Sequence, residues 1–349
     1  MHWPKLLAVF LLAAMAALAS AQASGSQTFL VHKKKYVMGT VFEIAAYGES
    51  QTRLSDAIDL AFAEIVRLDG VMSDYKTDSA LSRLNHSSHS SPETIPRDLY
   101  RVIDEALRYS RLSGGKFDVT VGPLVNLWKA AMRSGHAPSS ADEEKARDCV
   151  GYQKIQLLPP DRIQFHSPCV QIDLGGIGKG YALDRAAEVL HTRGISRALL
   201  DAGGSTIVAM GAPPGESGWL VHLRDPSNKV DPHVMLSGES VSTSEQTPPS
   251  LISPERAGHI VDPDKGVPAE THFAVSAVAA NGTASDALST TLLLLGPERG
   301  KDLITRNVTG GAAMWVYPGG QTQMVSNGPQ ILLGSHATAT TEPNSGGLR

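Results

Sequence analysis

The stretch Asp173-Leu-Gly-Gly-Ile-Gly-Lys-Gly-Tyr-Ala-Leu-Asp184 joins an apolar start, a dense run of glycines and an amphipathic continuation. The apolar residues Val170 to Leu174 predict a strand, and the residues after the glycines predict a helix that runs to His191 and stops at Gly194. Glycines let the backbone approach a ligand closely, and the first N–H groups of a helix lack partners within the helix. A phosphate-bearing ligand therefore fits this loop.

The glycine loop does not match the common nucleotide signatures. Gly180 stands where a Walker loop has Ser or Thr after its lysine, and the glycine spacing differs from that of the dinucleotide fingerprint. No repeated strand–helix–strand pattern surrounds the loop. A tight strand-to-helix turn without any ligand is the structural alternative.

A second motif, Thr283-Ala-Ser-Asp-Ala-Leu-Ser-Thr290, places Asp286 and Thr290 four residues apart. On a helix this spacing brings both side chains to one face. A carboxylate and a hydroxyl are hard oxygen ligands of the kind that magnesium accepts, so the two motifs together predict a Mg²⁺-dependent site for a pyrophosphate. In the alternative interpretation, Asp286 is an acidic first-turn residue behind an N-cap at Thr283.

His259 precedes the pairs Asp262-Pro263 and Lys265-Gly266, which predict a tight turn. The histidine would then lie at a strand end beside a loop, where it can accept the proton of an attacking hydroxyl near neutral pH. A purely structural histidine is the alternative.

The composition is that of an ordinary globular protein. Of its 349 residues, 42% are hydrophobic and 19% are charged, and the formal net charge is −4. This is enough apolar material for one large domain. The sequence has no basic block, so it implies neither nucleic acid nor an anionic membrane surface as a partner.

Residues 1–23 have the form of a secretory signal peptide. Lys5 supplies the positive charge, Leu6 to Leu18 is an unbroken apolar run, and Ala21-Gln-Ala23 fits a cleavage site. An uncleaved N-terminal anchor is the alternative, although the apolar run is short for a membrane span. We therefore expect an exported protein that is periplasmic or associated with the cell envelope.

The only two cysteines, Cys149 and Cys169, flank a predicted hairpin with strands at 154–158 and 162–166. Counting outward from the turn at Pro159-Pro160-Asp161 places the cysteines nearly opposite each other on antiparallel strands. In an oxidising compartment that geometry allows a disulfide. Two independent buried thiols are the alternative.

Turns rather than regular helices separate most of the predicted strands, which favours an antiparallel α+β fold over a doubly wound one. We expect one catalytic unit over residues 24–334 and a small, polar, disordered tail over 335–349. The predicted strands lie within 28–47 around Met38-Gly39-Thr40, and at 117–120, 170–174, 198–201, 207–210, 219–223, 234–236, 273–279, 312–317 and 323–325. Helices are predicted at 54–72, 96–112 and 124–132, with a further helix that follows the glycine loop and ends at 191 and another that begins at 283. Residues 244–258 are predicted to form an irregular loop.

Six motifs in a fixed order resemble those of the ApbE family, the FAD:protein FMN transferases, over about residues 30–330. They are Met38-Gly-Thr40, Met72-Ser-Asp-Tyr75, Phe117-Asp-Val-Thr-Val-Gly-Pro-Leu-Val-Asn-Leu-Trp128, Asp173-Leu-Gly-Gly-Ile-Gly-Lys-Gly180, His259-Ile-Val-Asp-Pro263 and Ser285-Asp-Ala-Leu-Ser-Thr290.

The resemblance implies an α+β, T-fold-like catalytic unit that uses Mg²⁺ and takes FAD as its substrate. Enzymes of this family attach the FMN half to a threonine of a target protein and release AMP, so the implied partner is an exported or membrane-associated flavin acceptor. By resemblance, Asp286, Thr290 and the backbone carbonyl of Gly176 would hold the metal, and His259 and Asp286 would be catalytic. The residues that would line the flavin nucleotide site are Met38, Tyr75, Phe117, Asp118, Val119, Asp173, Lys179 and Ile260.

The sequence departs from the family pattern at several positions, and residues 240–258 resemble it least. Differences in acceptor recognition or flavin affinity are therefore expected from this region. The departures are Ala80 for Glu, Gly178 for Ala, Ser205 for an acid or amide, Glu245 for Gly, Lys265 for a small hydroxyl residue, and Ser289 where some members have a further acidic ligand.

Two other functions stay open at this point. Water could replace the acceptor threonine, which would make the protein a FAD pyrophosphatase that forms FMN and AMP. The protein could also bind flavin without cleaving it, which the departures at Ala80 and 243–245 keep open. A nicotinamide dehydrogenase is disfavoured because the sequence lacks the repeated strand–helix–strand pattern.

Overall fold

The structure is a computed structural model that describes residues 28–87, 91–246 and 260–335. Its main element is an antiparallel sheet of eight strands in the spatial order β1-β2-β6-β7-β10-β13-β14-β15. The described strands are β1 Phe29–Val37, β2 Thr40–Gly48, β3 Glu93–Thr94, β4 Ile155–Leu158, β5 Arg162–Phe165, β6 Arg197–Ala202, β7 Thr206–Met210, β8 Trp219–His222, β9 Val230–Leu236, β10 Ser240–Glu245, β11 Val261–Asp262, β12 Val267–Pro268, β13 Ala274–Ala279, β14 Ala312–Val316, β15 Thr322–Ser326 and β16 Ile331–Ser335.

The helices pack on this sheet and around its edge. They are α1 Gln51–Met72, α2 Ala80–Asn85, α3 Arg97–Ser113, α4 Gly122–Ser134, α5 Ser140–Asp148, α6 Gly178–Thr192 and α7 Gly282–Asn307, with a short 3-10 helix at Tyr152–Lys154. The antiparallel pairing and the mixture of helices with sheets confirm the α+β class. In the described part of the chain, no helix is both long enough and apolar enough to cross a membrane.

Alternating side chains on the central strands separate two cores. On β14, Ala313 and Trp315 join the main core with α1, α6 and α7, whereas Ala312, Met314 and Val316 join a second core. The second core is covered by a small sheet in the order β16-β9-β8. Because both faces of β14 are covered, all five of its residues are buried, which explains why its sequence is apolar without alternation.

Local signals explain the ends of several elements. Ser50 accepts a hydrogen bond from the Arg53 amide, so α1 begins one turn before the predicted helix at 54–72. The predicted stop after α3 is confirmed, since Gly114 takes the left-handed conformation at φ +66°. The β1–β2 turn has positive φ at Met38 (+50°) and Gly39 (+76°), as a two-residue hairpin turn requires.

The prediction of strands at 170–174 and 117–120 was wrong. These segments share one isolated parallel bridge, between Val121 and Gln171, and the Asp173 amide donates to the Val119 carbonyl at 2.8 Å. The Asn85 side chain bonds both the N–H and the C=O of Ile172 at 2.8 Å, in the place of a neighbouring strand. Apolar content alone does not make a strand when side chains satisfy the backbone.

The start of α7 also differs from the prediction. Its N-cap is Asn281, whose side chain accepts from the Ala284 amide at 2.9 Å, so the proposal of Thr283 as N-cap was wrong. The helix is interrupted at Gly296 (φ +73°), which precedes Pro297. Ser244 and Glu245, assigned to an irregular loop, belong to β10.

The chain ends of the domain are only partly described. Residues 1–23, the predicted signal peptide, lie outside the described residues, as do 247–259 and 336–349. Ser335, which was assigned to the disordered tail, ends strand β16. The predicted hairpin β4–β5 is confirmed, and Cys149 and Cys169 form a disulfide with a Cα–Cα distance of 5.3 Å.

Candidate active site

The N-terminal turns of α6 and α7 cross at two glycines. A Cβ added to Gly180 would lie 2.0 Å from the Gly282 carbonyl oxygen, and a Cβ added to Gly282 would lie 2.6 Å from the Gly180 oxygen. Only glycine lets the two backbones approach so closely. Part of the glycine motif therefore serves helix packing, and this packing brings the two predicted site motifs together.

Asp184 fixes the start of α7 from the neighbouring helix. Its carboxylate accepts from the Gly282 amide at 2.6 Å, the Thr283 amide at 2.8 Å and the Thr283 hydroxyl at 2.5 Å. Burial raises the pKa of Asp184 above its ordinary value, although the bonds from Thr283 and Gly282 act in the opposite direction. Local sequence could not predict this role, because the helix start that Asp184 binds lies 98 residues further along the chain.

Asp286 and Thr290 both face the glycine loop. Asp286 is 4% exposed, and its Oδ2 accepts from the Gly180 amide at 2.9 Å. One turn later, the Thr290 hydroxyl would lie 3.1 Å from a Cβ added to Gly176. The structure thus brings together the three residues expected to hold a metal.

Several amides of the glycine loop already donate hydrogen bonds inside the protein. The Gly175 amide donates to Asp173 Oδ1 at 2.7 Å, the Gly178 amide to the Leu174 carbonyl at 2.8 Å, and the Gly180 amide to Asp286. Lys179 is half-buried, and its Nζ lies 3.4 Å from the Gly175 carbonyl. The loop therefore offers an anion fewer free N–H groups than its sequence suggests.

A row of buried hydroxyls connects β10 with α7. The Ser244 hydroxyl lies 2.8 Å from that of Ser289 and 3.4 Å from that of Thr290. Ser289 also contacts the Ser242 hydroxyl at 3.2 Å and donates to the Asp286 carbonyl at 3.0 Å. At the position where some family members have an acid, Ser289 is therefore part of a neutral hydrogen-bond network that reaches Thr290 through Ser244.

Phe117, Asp118 and Val119 lie behind the glycine loop. The Phe117 ring would come within 3.1 Å of a Cβ on Gly176. Both carboxylate oxygens of Asp118 are engaged, because Oδ1 accepts from the Thr120 amide and hydroxyl and Oδ2 from the Tyr152 amide. Burial raises the pKa of Asp118. Val119 is buried, and its carbonyl holds Asp173 in place.

A charged cluster surrounds Tyr75, which is 77% exposed. Lys129 Nζ lies 3.1 Å from the Tyr75 hydroxyl and 3.6 Å from Asp74. Burial, and then the charge of Asp173, raises the pKa of Asp74. Burial opposes the charge of Lys129, but Asp173 and Tyr75 raise its pKa above the ordinary value. Lys129 was not identified from the sequence, since an isolated lysine on a helix has no distinguishing pattern.

The remaining predicted site residues are more scattered. Met38 Cε would lie 3.9 Å from a Cβ on Gly178, so the strained β1–β2 turn contacts the start of α6. The Ile260 carbonyl accepts from the Ala269 amide at 2.9 Å, and its side chain packs on the main core. His259 lies outside the described residues, so its role stays a prediction.

Two departures from the family pattern contact residues outside this site. Glu245 forms an ion pair with Arg224 at 2.5 Å, on the side of β10 opposite to Ser244. Lys265 lies in the β11–β12 turn, and its carbonyl accepts from Arg147 at 3.0 Å.

The donor set around Asp286 suits a hard divalent cation. The residues expected to hold the metal would offer the Asp286 carboxylate, the Thr290 hydroxyl and the Gly176 carbonyl, all of them oxygen ligands. Within residues 28–87, 91–246 and 260–335, no three His, Cys, Asp or Glu side chains form a group that could hold a metal. An oxygen site completed by a substrate phosphate fits the residues present.

Known proteins resemble this chain in both sequence and fold. The profile of the ApbE family matches residues 38–315. A FAD:protein FMN transferase of Klebsiella pneumoniae strain 342 is 30% identical over 300 residues, which cover 82% of this chain and 84% of the relative. One of Salmonella typhimurium is 28% identical over 309 residues, which cover 83% and 88%.

Two solved structures have the same architecture. The flavin transferase ApbE of Vibrio cholerae superposes with a TM-score of 0.74 at 25% identity, covering 86% of this chain and 97% of its own. The apo form of the flavinyl transferase ApbE of Pseudomonas stutzeri gives a TM-score of 0.73 at 29% identity, covering 86% and 95%. With the family profile matched over most of its length, the chain belongs to the ApbE family.

Proposed function

We propose that this protein is a Mg²⁺-dependent FAD:protein FMN transferase that attaches FMN through a phosphoester to a threonine of a target protein and releases AMP. Membership in a family whose relatives are named FAD:protein FMN transferases makes the chain an enzyme of flavin transfer. The magnesium requirement and the threonine acceptor are the parts of the proposal that need experiment.

The observation that carries the proposal is the meeting of the glycine loop with the first turns of α7. Asp286 bonds the Gly180 amide, and Thr290 lies against Gly176. The glycine loop and the start of α7, about a hundred residues apart in sequence, thus lie side by side. The first brings its backbone close, and the second supplies side-chain oxygens. A diphosphate needs both charge neutralisation and close backbone approach, which this arrangement supplies.

The residues that would hold Mg²⁺ are Asp286, Thr290 and the Gly176 carbonyl. When bound, the cation would neutralise the diphosphate charge and polarise its oxygens. The Ser244 hydroxyl lies 3.4 Å from the Thr290 hydroxyl and is itself paired with the Ser289 hydroxyl at 2.8 Å. Lys179 adds a positive charge beside the loop.

The reaction breaks the phosphoanhydride bond of FAD and forms a phosphoester bond to the acceptor. The acceptor threonine oxygen bonds to the FMN-side phosphorus, the bond from that phosphorus to the bridging oxygen breaks, and AMP leaves with the bridging oxygen. The threonine proton passes to a base, for which His259 is our candidate. Water is the competing nucleophile, so the acceptor segment must exclude water from the reacting phosphorus.

Export to the periplasm or cell envelope is also part of the proposal. Two features support export: residues 1–23 have the pattern of a secretory signal peptide, and Cys149 and Cys169 form a disulfide, a bond typical of oxidising compartments. The acceptor would then be an exported or membrane-associated protein.

The test is to incubate the purified protein with FAD, Mg²⁺ and a flavin-accepting domain, and to measure AMP and protein-bound flavin. Transfer predicts both products, and chelation of Mg²⁺ should abolish them. AMP release without any acceptor would indicate a FAD pyrophosphatase. Intact, stoichiometrically bound FAD after long incubation would reject catalysis in favour of a flavin-binding protein.

A further inference from the structure

Gln246 is a buried amide without a hydrogen-bond partner in the described part of the chain. It directly follows β10 and is 4% exposed, and among residues 28–87, 91–246 and 260–335 neither its Oε1 nor its Nε2 has a hydrogen-bond partner. Burying an unpaired carboxamide is costly, and most buried polar groups in proteins are paired. Gln246 therefore destabilises the protein unless something outside the described chain completes its bonds.

The alternation of β10 places Gln246 on the side of the candidate active site. Ser240, Ser242 and Ser244 all bond toward α7 or β7, whereas Thr243 bonds Ser276 on the other face at 2.7 Å. Glu245 also faces away, toward Arg224. Strand β10 ends at Glu245, and its alternation extended by one residue puts the buried Gln246 in the row of Ser244.

Gln246 would therefore lie next to the residues that are proposed to hold the diphosphate. Two residues of a strand span about 7 Å, so Gln246 lies about that far from Ser244, which contacts Thr290. In FAD, the groups at such a distance on either side of the diphosphate are the hydroxyl-bearing ribityl chain and the adenosine ribose. A carboxamide both donates and accepts, which matches a pair of neighbouring hydroxyls.

We propose that Gln246 is a binding residue of the active site, and that its carboxamide hydrogen-bonds vicinal hydroxyls of the flavin dinucleotide. This inference rests on the proposed function, because it takes FAD as the ligand. Nothing in the residue type alone distinguishes Gln246 from an ordinary polar loop residue. Its burial without a partner does.

The test uses Gln246→Met, which keeps the length of the side chain, and Gln246→Glu, which keeps its shape but removes the donors. We expect the Kd for FAD to rise about tenfold in both, since a binding site loses paired hydrogen bonds. The melting temperature of the Met variant without ligand should be equal to or above that of the wild type, because the orphaned amide is gone. A lower melting temperature with an unchanged Kd would overturn the inference.

Thr243→Val is the matched control, since it removes a hydroxyl from the opposite face of the same strand and should leave the Kd for FAD unchanged.

The Kd values for FMN and for ADP show which hydroxyls of FAD Gln246 contacts, because FMN has the ribityl chain and ADP has the adenosine ribose. Weaker binding of FMN alone by the Gln246 variants assigns the contact to the ribityl chain, and weaker binding of ADP alone assigns it to the ribose. If neither ligand distinguishes the variants from the wild type, the inference fails. A wild type that binds FAD but never releases AMP would reject the proposed transfer and leave this contact standing.

Discussion

The backbone amide of Gly180 donates to Asp286 Oδ2 at 2.9 Å, and this bond joins the first turn of α6 to the first turn of α7. The carboxylate therefore has two tasks that the sequence could not separate. It satisfies a buried donor, and in the proposed function it would also supply negative charge to the metal site. Substitutions that keep one task and remove the other can distinguish them.

Asp286→Asn should keep the acceptor for Gly180 but lose the charge. We expect AMP release from FAD to fall at least about a hundredfold, the usual order for loss of an electrostatic catalytic group. The melting temperature should change little. Asp286→Ala is the comparison: it leaves the Gly180 amide unpaired, which costs about 1–3 kcal/mol of stability in addition to activity. Unchanged AMP release by the Asn variant over a Mg²⁺ titration would refute the metal assignment.

Gly180→Ala should destabilise the whole fold. Its Cβ would overlap the Gly282 carbonyl at 2.0 Å, and relieving the overlap requires the two helices to separate. Overpacking of this kind costs about 1–3 kcal/mol or more.

The matched control is Gly70→Ala in α1, where an added Cβ meets nothing within 4 Å. Alanine is the better helix former, so this variant should gain about 0.5–1 kcal/mol. Urea unfolding measures both changes. Equal stability of the two variants would show that the helix crossing tolerates a side chain.

Asp184 should make stability depend on pH with a defined sign. Its pKa is raised in the folded protein, so the folded state retains the proton over a pH range in which the unfolded state has lost it. The stability that this group contributes is therefore fully present below the ordinary carboxyl pKa and is lost as pH rises through the raised value. Relative to Asp184→Asn, the wild type should lose free energy of unfolding as pH increases through that window. Urea unfolding of both proteins from pH 4 to pH 7 measures the two free energies of unfolding. A wild type that gains free energy of unfolding relative to Asp184→Asn as pH rises would contradict the expectation.

Reduction of the Cys149–Cys169 disulfide should lower the melting temperature. The bond closes a loop over a sequence separation of 20, which in the chain-entropy model contributes about 3 kcal/mol. Thermal unfolding with and without dithiothreitol measures the effect. The double variant Cys149→Ser/Cys169→Ser is the control and should not respond to the reductant. A reductant effect of equal size in both proteins would show that it does not act through this bond.

Part of the site could be read from local sequence because it depends on spacing along one element. Asp286 and Thr290 share a helix face by periodicity alone, and the glycines of 175–180 indicate a close backbone approach. Lys129 and Asp184 escaped notice because their partners, Asp74 and Thr283, lie on other elements.

The strand predictions also succeed where local sequence is sufficient and fail where a distant residue intervenes. Where a strand pairs along its length, as β13 does with β14, the apolar pattern is a sufficient guide. Around Ile172 apolar residues alternate as in a strand, but the Asn85 side chain takes the place of the neighbouring strand. A side chain that competes for backbone hydrogen bonds acts across the fold, which a local window does not contain.

By itself, the order of motifs along the chain determined the family, the α+β class and the residue types available for a hard cation, because these depend on composition and short spacings. Tertiary structure alone decided which groups remain for a ligand. It committed the amides of Gly175, Gly178 and Gly180 to internal bonds, turned Glu245 away from the site, and left the buried Gln246 unpaired. The physical reason is that hydrogen-bond satisfaction depends on all the elements packed around a group, and those neighbours come from distant parts of the sequence.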